Sequence, residues 1–490
     1  MSLQAVLNQD ILLAVLEASS DQQVCLLMRT CRYFYDAGPR VLLRTTVRLH
    51  SETCLHQFLT FLRVQPERRF KLVRSLNLTF SELPESAALQ LAQVLPLMVN
   101  LRSLSLKTGD FVLGSRPSLV AAFAALTSLQ ELRLWHVGEV SIKMLQNLQS
   151  RLVRVTLVLN GGDEPVLPEH HPAVLLAHSM GTLEVIEARG LRTHDQTSPD
   201  PDLVYPEMRR LDFESTGMPL TMTFINAYPN LTHLSYSCKE GNITRFALER
   251  REVYEAQHRL NIREQINARR TWNGLQQFVG SLSDLYLLGL TCPVDDVTLH
   301  DLEEVIPDML ETMLGYARPQ SLKLGRCSGT QLSLPTGGVC GALAAGSSRL
   351  ESLTVTVGLQ ENEAHVDIGR AMDGLLLSLG LSPLRNVEIT VHTGSLDPRS
   401  SADRSMMRYA CRRGPPPPGH GVDNYPLNFA ELSAVGFNAE DYLRRFSQTI
   451  PSLRHARVCV IGPRERYRVA VLDEGQISCE AWHLRSYRYH

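Results

Sequence analysis

The sequence predicts an α/β protein in which a short unit of three helices precedes a long, irregular array of strands and helices. Three observations carry this expectation. The chain has 490 residues, beyond the roughly 250–300 that one compact core sustains, so several domains or a repeat array are expected. A short motif, L-x-x-L-x-L with apolar substitutions, keeps returning from residue 73 onward. The first 50 residues instead carry apolar side chains at helical spacing, more of them than so small a unit can enclose.

The motif occurs as "VRSLNL" (Val73, Leu76, Leu78), "LRSLSL" (Leu101, Leu104, Leu106), "LQELRL" (Leu129, Leu132, Leu134), "LVRVTL" (Leu152, Val155, Leu157), "LEVIEA" (Leu183, Ile186) and "MRRLDF" (Met208, Leu211, Phe213). Later copies are "LTHLSY" (Leu231), "LSDLYL" (Leu282), "LESLTV" (Leu350) and "LRNVEI" (Leu384), with "PQSLKL" and "LRHARV" as weaker members. Through Leu231 the first positions lie 28, 28, 23, 31, 25 and 23 residues apart. The last two apolar positions flank a polar one, so a short strand turns both to one side while the earlier residue packs the turn before it. Helix-period stretches fall between copies, at Leu119, Phe123 and Leu126, at Ile142, Leu145 and Leu148, and at Ile368, Met372, Leu375 and Leu376. This pattern resembles leucine-rich repeats, in which about 20–29 residues make one strand and a returning segment. The copies lack the fixed Asn or Cys that regular repeats use to bond the turn, so the resemblance is to irregular, long-repeat types. It implies a parallel sheet on a concave side and helices on the convex side, repeats covering 73–459.

Two stretches interrupt the array. Around 237–281 the charged "KEGNITRFALERREVYEAQHRLNIREQINARRTWNG" carries Ile243, Phe246, Val253, Leu260 and Ile266 at roughly helical intervals, and reads as a solvated insertion helix laid over the array. Around 393–430 the run "PPPPG" cannot continue a helix or central strand and reads as an exposed loop. Residues 51–72 read as a linker with a leading helix. Residues 460–490 alternate at period two about a DEG turn and read as a strand-rich cap on the last repeat.

A net charge of −2 gives no electrostatic reason to expect nucleic acid or an anionic membrane as partner. The longest charge-free apolar runs, such as "LVAAFAALTSL", are shorter than the ~20 residues of a membrane helix, and no secretory leader is read at the N-terminus. Ten scattered cysteines suit reduced thiols in the cytoplasm or nucleus rather than a disulfide framework. Motifs for a serine nucleophile, a zinc protease, a phosphate-binding loop or a C-x-x-C pair are absent, so no catalytic residue, cofactor or metal is expected. "PTGGVCGALAAG" reads as a repeat turn, "PEHHP" as a surface loop, and Cys238, Cys292, Cys327 and Cys340 as small core or turn residues.

The N-terminal "VLNQDILLAVLEASSDQQVCLLMRTCRYFYDAGPRVLLRTTVRL" resembles an F-box over about 45 residues. Leu7 matches that family's first position, and Asn8 stands where it usually has proline. Asp10, Ile11, Leu12, Val15 and Leu16 match its first helix, Val24, Leu27, Met28, Cys31, Arg32 and Phe34 its second, and Pro39, Leu42 and Leu43 its third. The order of an F-box followed by degenerate leucine-rich repeats is similar to a large group of fungal proteins. The resemblance implies a substrate-recognition subunit of an SCF-type cullin-RING ubiquitin ligase. Leu7, Asn8, Ile11, Leu12, Val15, Leu16, Leu27, Met28, Cys31, Phe34 and Leu42 would then face the Skp-type adaptor, and the repeats would bind a client protein. Strand geometry alone nominates Asn77, Ser105, Arg133, Thr156, Asp212 and Ser235 for the client. The alternative is a non-catalytic leucine-rich-repeat scaffold whose N-terminal helices only cap the array.

Overall fold

The computed structural model describes residues 8–159, 171–191, 203–215, 217–238, 251–300, 302, 307–334, 338–346, 348–380, 382–393, 396, 427–462 and 466–483. Among the described residues the protein is mixed α/β, with sixteen strands that pair in sequence order within each of its compact units. It divides into two compact units, residues 1–217 with 226–230, and residues 218–225 with 231–490.

The first unit holds β1 (Val47–Leu49), β2 (Ser75–Leu78), β3 (Ser103–Leu106), β4 (Glu131–Val137), β5 (Arg154–Leu159), β6 (Val185–Leu191) and β7 (Arg210–Ser215). Each pairs in parallel with the next. The motif sets the register: Leu76, Leu104, Leu132, Val155, Ile186 and Leu211 stand side by side and are all buried. Alternation puts the polar residue between each apolar pair on the opposite face. Helices such as Pro117–Ala124 and Glu139–Gln146 return the chain between strands, and Leu119, Phe123, Ile142 and Leu145 bury into the same core.

The second unit holds β8 (His233–Cys238), β9 (Leu275–Ser281), β10 (Val294–His300), β11 (Ser321–Cys327), β12 (Ser352–Gly358), β13 (Asn386–His392), β14 (His455–Ile461), β15 (Arg466–Asp473) and β16 (Gln476–His483). β8 to β14 are parallel; β15 and β16 are antiparallel additions. The β15–β16 turn is two residues long, and both Glu474 and Gly475 have positive φ, at 43° and 89°. That is the backbone a tight hairpin needs to match the strand twist.

The main chain supplies the turn bond that the sequence lacks. The carbonyl of Arg74 accepts both Arg102 N and Ser103 N, that of Arg102 accepts Gln130 N and Glu131 N, and that of Gln130 accepts Val153 N and Arg154 N. The pattern recurs in the second unit, where Glu351 O accepts Arg385 N and Asn386 N. Buried or half-buried carboxylates tie other turns: Asp110 Oδ1 accepts Gly138 N and Ser141 N, Asp284 Oδ1 accepts Cys238 N, and Glu363 Oε1 accepts Thr330 N. Burial raises Asp284 to about 6 against the pull of its donors from Ser281 and Cys238.

Several sequence expectations change. "LSDLYL" is not a strand but the helix Leu282–Leu288, started by a capping box in which Ser281 and Asp284 bond each other's backbone. The strand of that region is β9, which falls inside the stretch read as an insertion. A helix does occupy Arg251–Ala268, but the side chains it buries are Tyr254, His258, Asn261 and Gln265. Val253 and Ile266 face solvent, Leu260 is half-buried, and Ile243 and Phe246 lie outside the described residues, as does nearly all of the proline-rich loop.

"PEHHP" is also not a plain surface loop, for His171 is buried, although His170 lies outside the described residues. Its Nδ1 accepts Ala173 N at 3.2 Å, capping the short helix Pro172–Leu175, and its ring stands edge-on to Phe213. Burial lowers its pKa from 6.5 to about 4. Between those values the unfolded chain binds a proton that the folded chain refuses, so stability falls as pH drops from 6.5 to 4, by up to about 3 kcal/mol. Urea unfolding across this window should show a weaker pH dependence in His171→Asn, whose amide oxygen keeps the cap without a titrating ring. An unchanged dependence would exclude His171 as the cause.

Candidate docking surfaces

The N-terminal unit is built from α1 (Gln9–Ala18), α2 (Asp21–Leu27) and α3 (Arg32–Leu42). Asn8 caps α1, its Oδ1 accepting Asp10 N at 3.1 Å, so the helix start does not depend on a proline. Ser20 and Gln23 form a capping box on α2, with Gln23 Oε1 accepting Ser20 N at 2.9 Å. Tyr33 donates its hydroxyl to Gln9 O at 2.7 Å, fastening α3 to α1.

The three helices enclose a small core of Leu16, Val24 and Phe34, against which Leu12, Leu27, Met28 and Leu42 pack half-buried. The residues expected to face an adaptor therefore separate into two sets. Leu16 and Phe34 point inward. Ile11 and Val15, one turn apart on α1, are 53% and 43% exposed, and Asn8 and Cys31 are also exposed. Leu7 lies outside the described residues. Sequence reading passed over Leu26, which is 62% exposed on α2; its place inside the continuous run "VCLLM" hid it.

Arg69 links this unit to α4 (Glu52–Arg63). It is buried, with its guanidinium carbon 5.3 Å from the Tyr35 ring centroid on α3 and 4.4 Å from that of Phe61 on α4. Nη1 donates to Phe61 O at 2.8 Å. Stacking between two aromatic faces is a favourable place for a guanidinium.

The second candidate surface is the polar face of the strands. In the first unit Asn77, Ser105, Arg133, Thr156 and Asp212 occupy one row across the register, with Glu187 between the last two. Each stands four residues after the first apolar residue of its motif, and that offset also predicts Glu187, which sequence reading omitted. Neighbours in the row bond one another: Ser105 Oγ donates to Asn77 Oδ1 at 3.1 Å, and Thr156 Oγ1 to Glu187 Oε2 at 3.3 Å. Arg133 instead donates to Glu131 on its own strand, at 2.6 and 3.0 Å. Half-buried Trp135 shares this face beside Val158. Ser235 belongs to the second unit, where it pairs with Val279. The row thus runs from hydroxyl and amide groups through one arginine to two adjacent carboxylates.

Among the described residues no three His, Cys, Asp or Glu side chains gather as a metal site, and no helix is long and apolar enough to cross a membrane. Cys292, Cys327 and Cys340 are buried free thiols, their pKa values raised by burial, and Cys238 is half-buried. No family model matches the chain, and neither does any curated protein.

Proposed function

We propose that this chain is a substrate-recognition subunit of an SCF-type cullin-RING ubiquitin ligase. In this reading α1–α3 form an F-box that docks on a Skp-type adaptor, in the cytoplasm or nucleus. The strands and helices behind it form a degenerate leucine-rich-repeat solenoid, with a parallel sheet on its concave side, that holds a client protein. One observation carries the reading. The three-helix unit has a core of its own, yet leaves Ile11, Val15 and Leu26 in solvent. An apolar surface of that kind, on a small unit ahead of a repeat array, suits a partner protein. The mechanism is positioning. The chain contributes no catalytic group and raises the effective concentration of a client lysine near a ubiquitin-loaded enzyme carried elsewhere in the complex.

Co-expression of the full chain with a Skp-type adaptor tests this, the expected result being a 1:1 complex on size-exclusion chromatography. A chain that elutes alone beside excess adaptor favours the second reading, a leucine-rich-repeat scaffold whose first helices only cap the array. The stacking of Arg69 on Tyr35 supports that alternative, because it fastens α3 to the following helix.

A further inference from the structure

The strands of the second unit end on β16, and among the described residues nothing pairs with its outer edge. An unpaired edge offers main-chain donors and acceptors to any extended chain, and folded proteins blunt it with a short strand, a bulge, a proline or a central charge. The first unit does so, since β1 has only three residues with Arg48 in the middle. β16 lacks these devices. It runs for eight residues without proline, lysine or arginine, and all eight pair with β15 in unbroken register.

The hairpin fixes which groups face outward. Across a two-residue turn the flanking residues, Asp473 and Gln476, exchange both main-chain bonds, so every second residue from Gln476 onward turns its amide and carbonyl toward β15. Glu474 N, which donates to Arg454 O at 3.0 Å on the other side of β15, fits that alternation. The outer edge therefore consists of the main-chain groups of Ile477, Cys479, Ala481 and His483. A second copy of β16, laid antiparallel, must match these groups in pairs, and only a few two-fold axes do so. An axis at Glu480 sets that residue against itself at the closer, non-hydrogen-bonded spacing, where like charges repel. An axis at Cys479 overlaps residues 476–482 of both strands, pairing Cys479 with its copy, Ile477 with Ala481 and Ser478 with Glu480. No like charges then meet, and axes further along in either direction overlap fewer residues. The layer beside the strand leaves room as well. The helix Ala439–Thr449 packs against β14, β15 and β16, so it is centred over β15. Its copy would lie about three strand spacings away, ~14 Å, beyond the 8–10 Å at which helices touch.

We propose that the outer edge of β16 is a self-association surface, on which two copies of this chain pair β16 with β16, antiparallel about Cys479. Such a pairing uses the same patch on both copies and closes at two. It is independent of the receptor reading above.

Sedimentation velocity of the full chain, in reducing buffer and without adaptor, tests this. The expected result is a monomer–dimer equilibrium that shifts toward dimer as concentration rises. Ala481→Pro removes an outward N–H from each copy and no bond to β15. It should weaken the dimer by roughly tenfold or more while leaving the circular dichroism melt unchanged. Cys479 is exposed, so charges are tolerated there in the single chain. Cys479→Lys and Cys479→Glu should each weaken self-association severalfold, and an equal mixture of the two variants should restore it. A chain that stays monomeric up to about 100 μM overturns the proposal. So does a dimer that survives Ala481→Pro, or a mixture no more associated than either charge variant alone. Because no adaptor is present, failure of adaptor docking leaves these outcomes unaffected.

Discussion

Replacing Ile11 and Val15 together by aspartate is expected to abolish co-purification of the chain with a Skp-type adaptor while leaving its thermal unfolding in place. Both side chains sit on the open flank of α1, about half exposed, so neither carboxylate enters the core of Leu16, Val24 and Phe34. At an interface the arithmetic reverses. Each apolar side chain contributes roughly 1.5–3 kcal/mol when buried, and a carboxylate pressed against an apolar partner adds a desolvation cost. Losing two such contacts amounts to about a hundredfold or more in affinity. Leu12 is the wrong target, although sequence reading would pair it with Ile11. It packs on the internal core, and an aspartate there would unfold the unit and remove binding for an uninformative reason. Pull-down of the folded double variant decides the matter, and retention of the adaptor would exclude docking through α1.

From β2 to β7 the strands of the first unit were legible because an apolar pair around one polar residue, preceded by a fixed apolar anchor, specifies face, register and start together; β1 has Arg44 at the anchor position and went unread within the stretch taken as helical. Leu101, Leu104 and Leu106 are a complete description of β3. In the second unit the code fails at two places for physical reasons. In β9 the last apolar position is Gly280, where a Cβ would lie 2.6 Å from Tyr236 O, so the close approach of β8 demands glycine and erases the motif. "LSDLYL" spells the motif by chance, while the spacing of Ser281 and Asp284 announces a helix. The turn bonds were invisible because main-chain amides make them. In the N-terminal unit the cap at Asn8 could be read, but the division between inward Leu16 and outward Ile11 could not. Apolar side chains at helical spacing mark a stripe without saying which edge a neighbouring helix covers.

The helix Arg251–Ala268 carries the largest expected stability effect, and it inverts the usual rule. Its apolar Val253 and Ile266 face water, while Asn261 is fully buried and bonded on both sides. Asn261 Nδ2 donates to Pro219 O at 2.9 Å and to Leu287 O at 2.6 Å, and its Oδ1 accepts Thr221 N at 3.3 Å. One turn on, Gln265 Nε2 donates to Asn261 O and Gly289 O, and its Oε1 accepts from the Thr291 hydroxyl. The helix is thus held by carboxamides that complete the backbone of two loops. Asn261→Leu keeps the branched shape but leaves the Thr221 amide and the Leu287 carbonyl without their partner, while Pro219 O keeps its bond from Gln257 Nε2. At roughly 1–3 kcal/mol for each stranded group, the expected loss is about 2–6 kcal/mol. Val253→Ala and Ile266→Ala, on the exposed face, should stay within about 0.5 kcal/mol of the parent. Urea unfolding of the three variants separates these expectations. If Asn261→Leu proves neutral, the helix is anchored instead by the apolar packing of Tyr254 on Leu287, and the carboxamide network contributes no net stability.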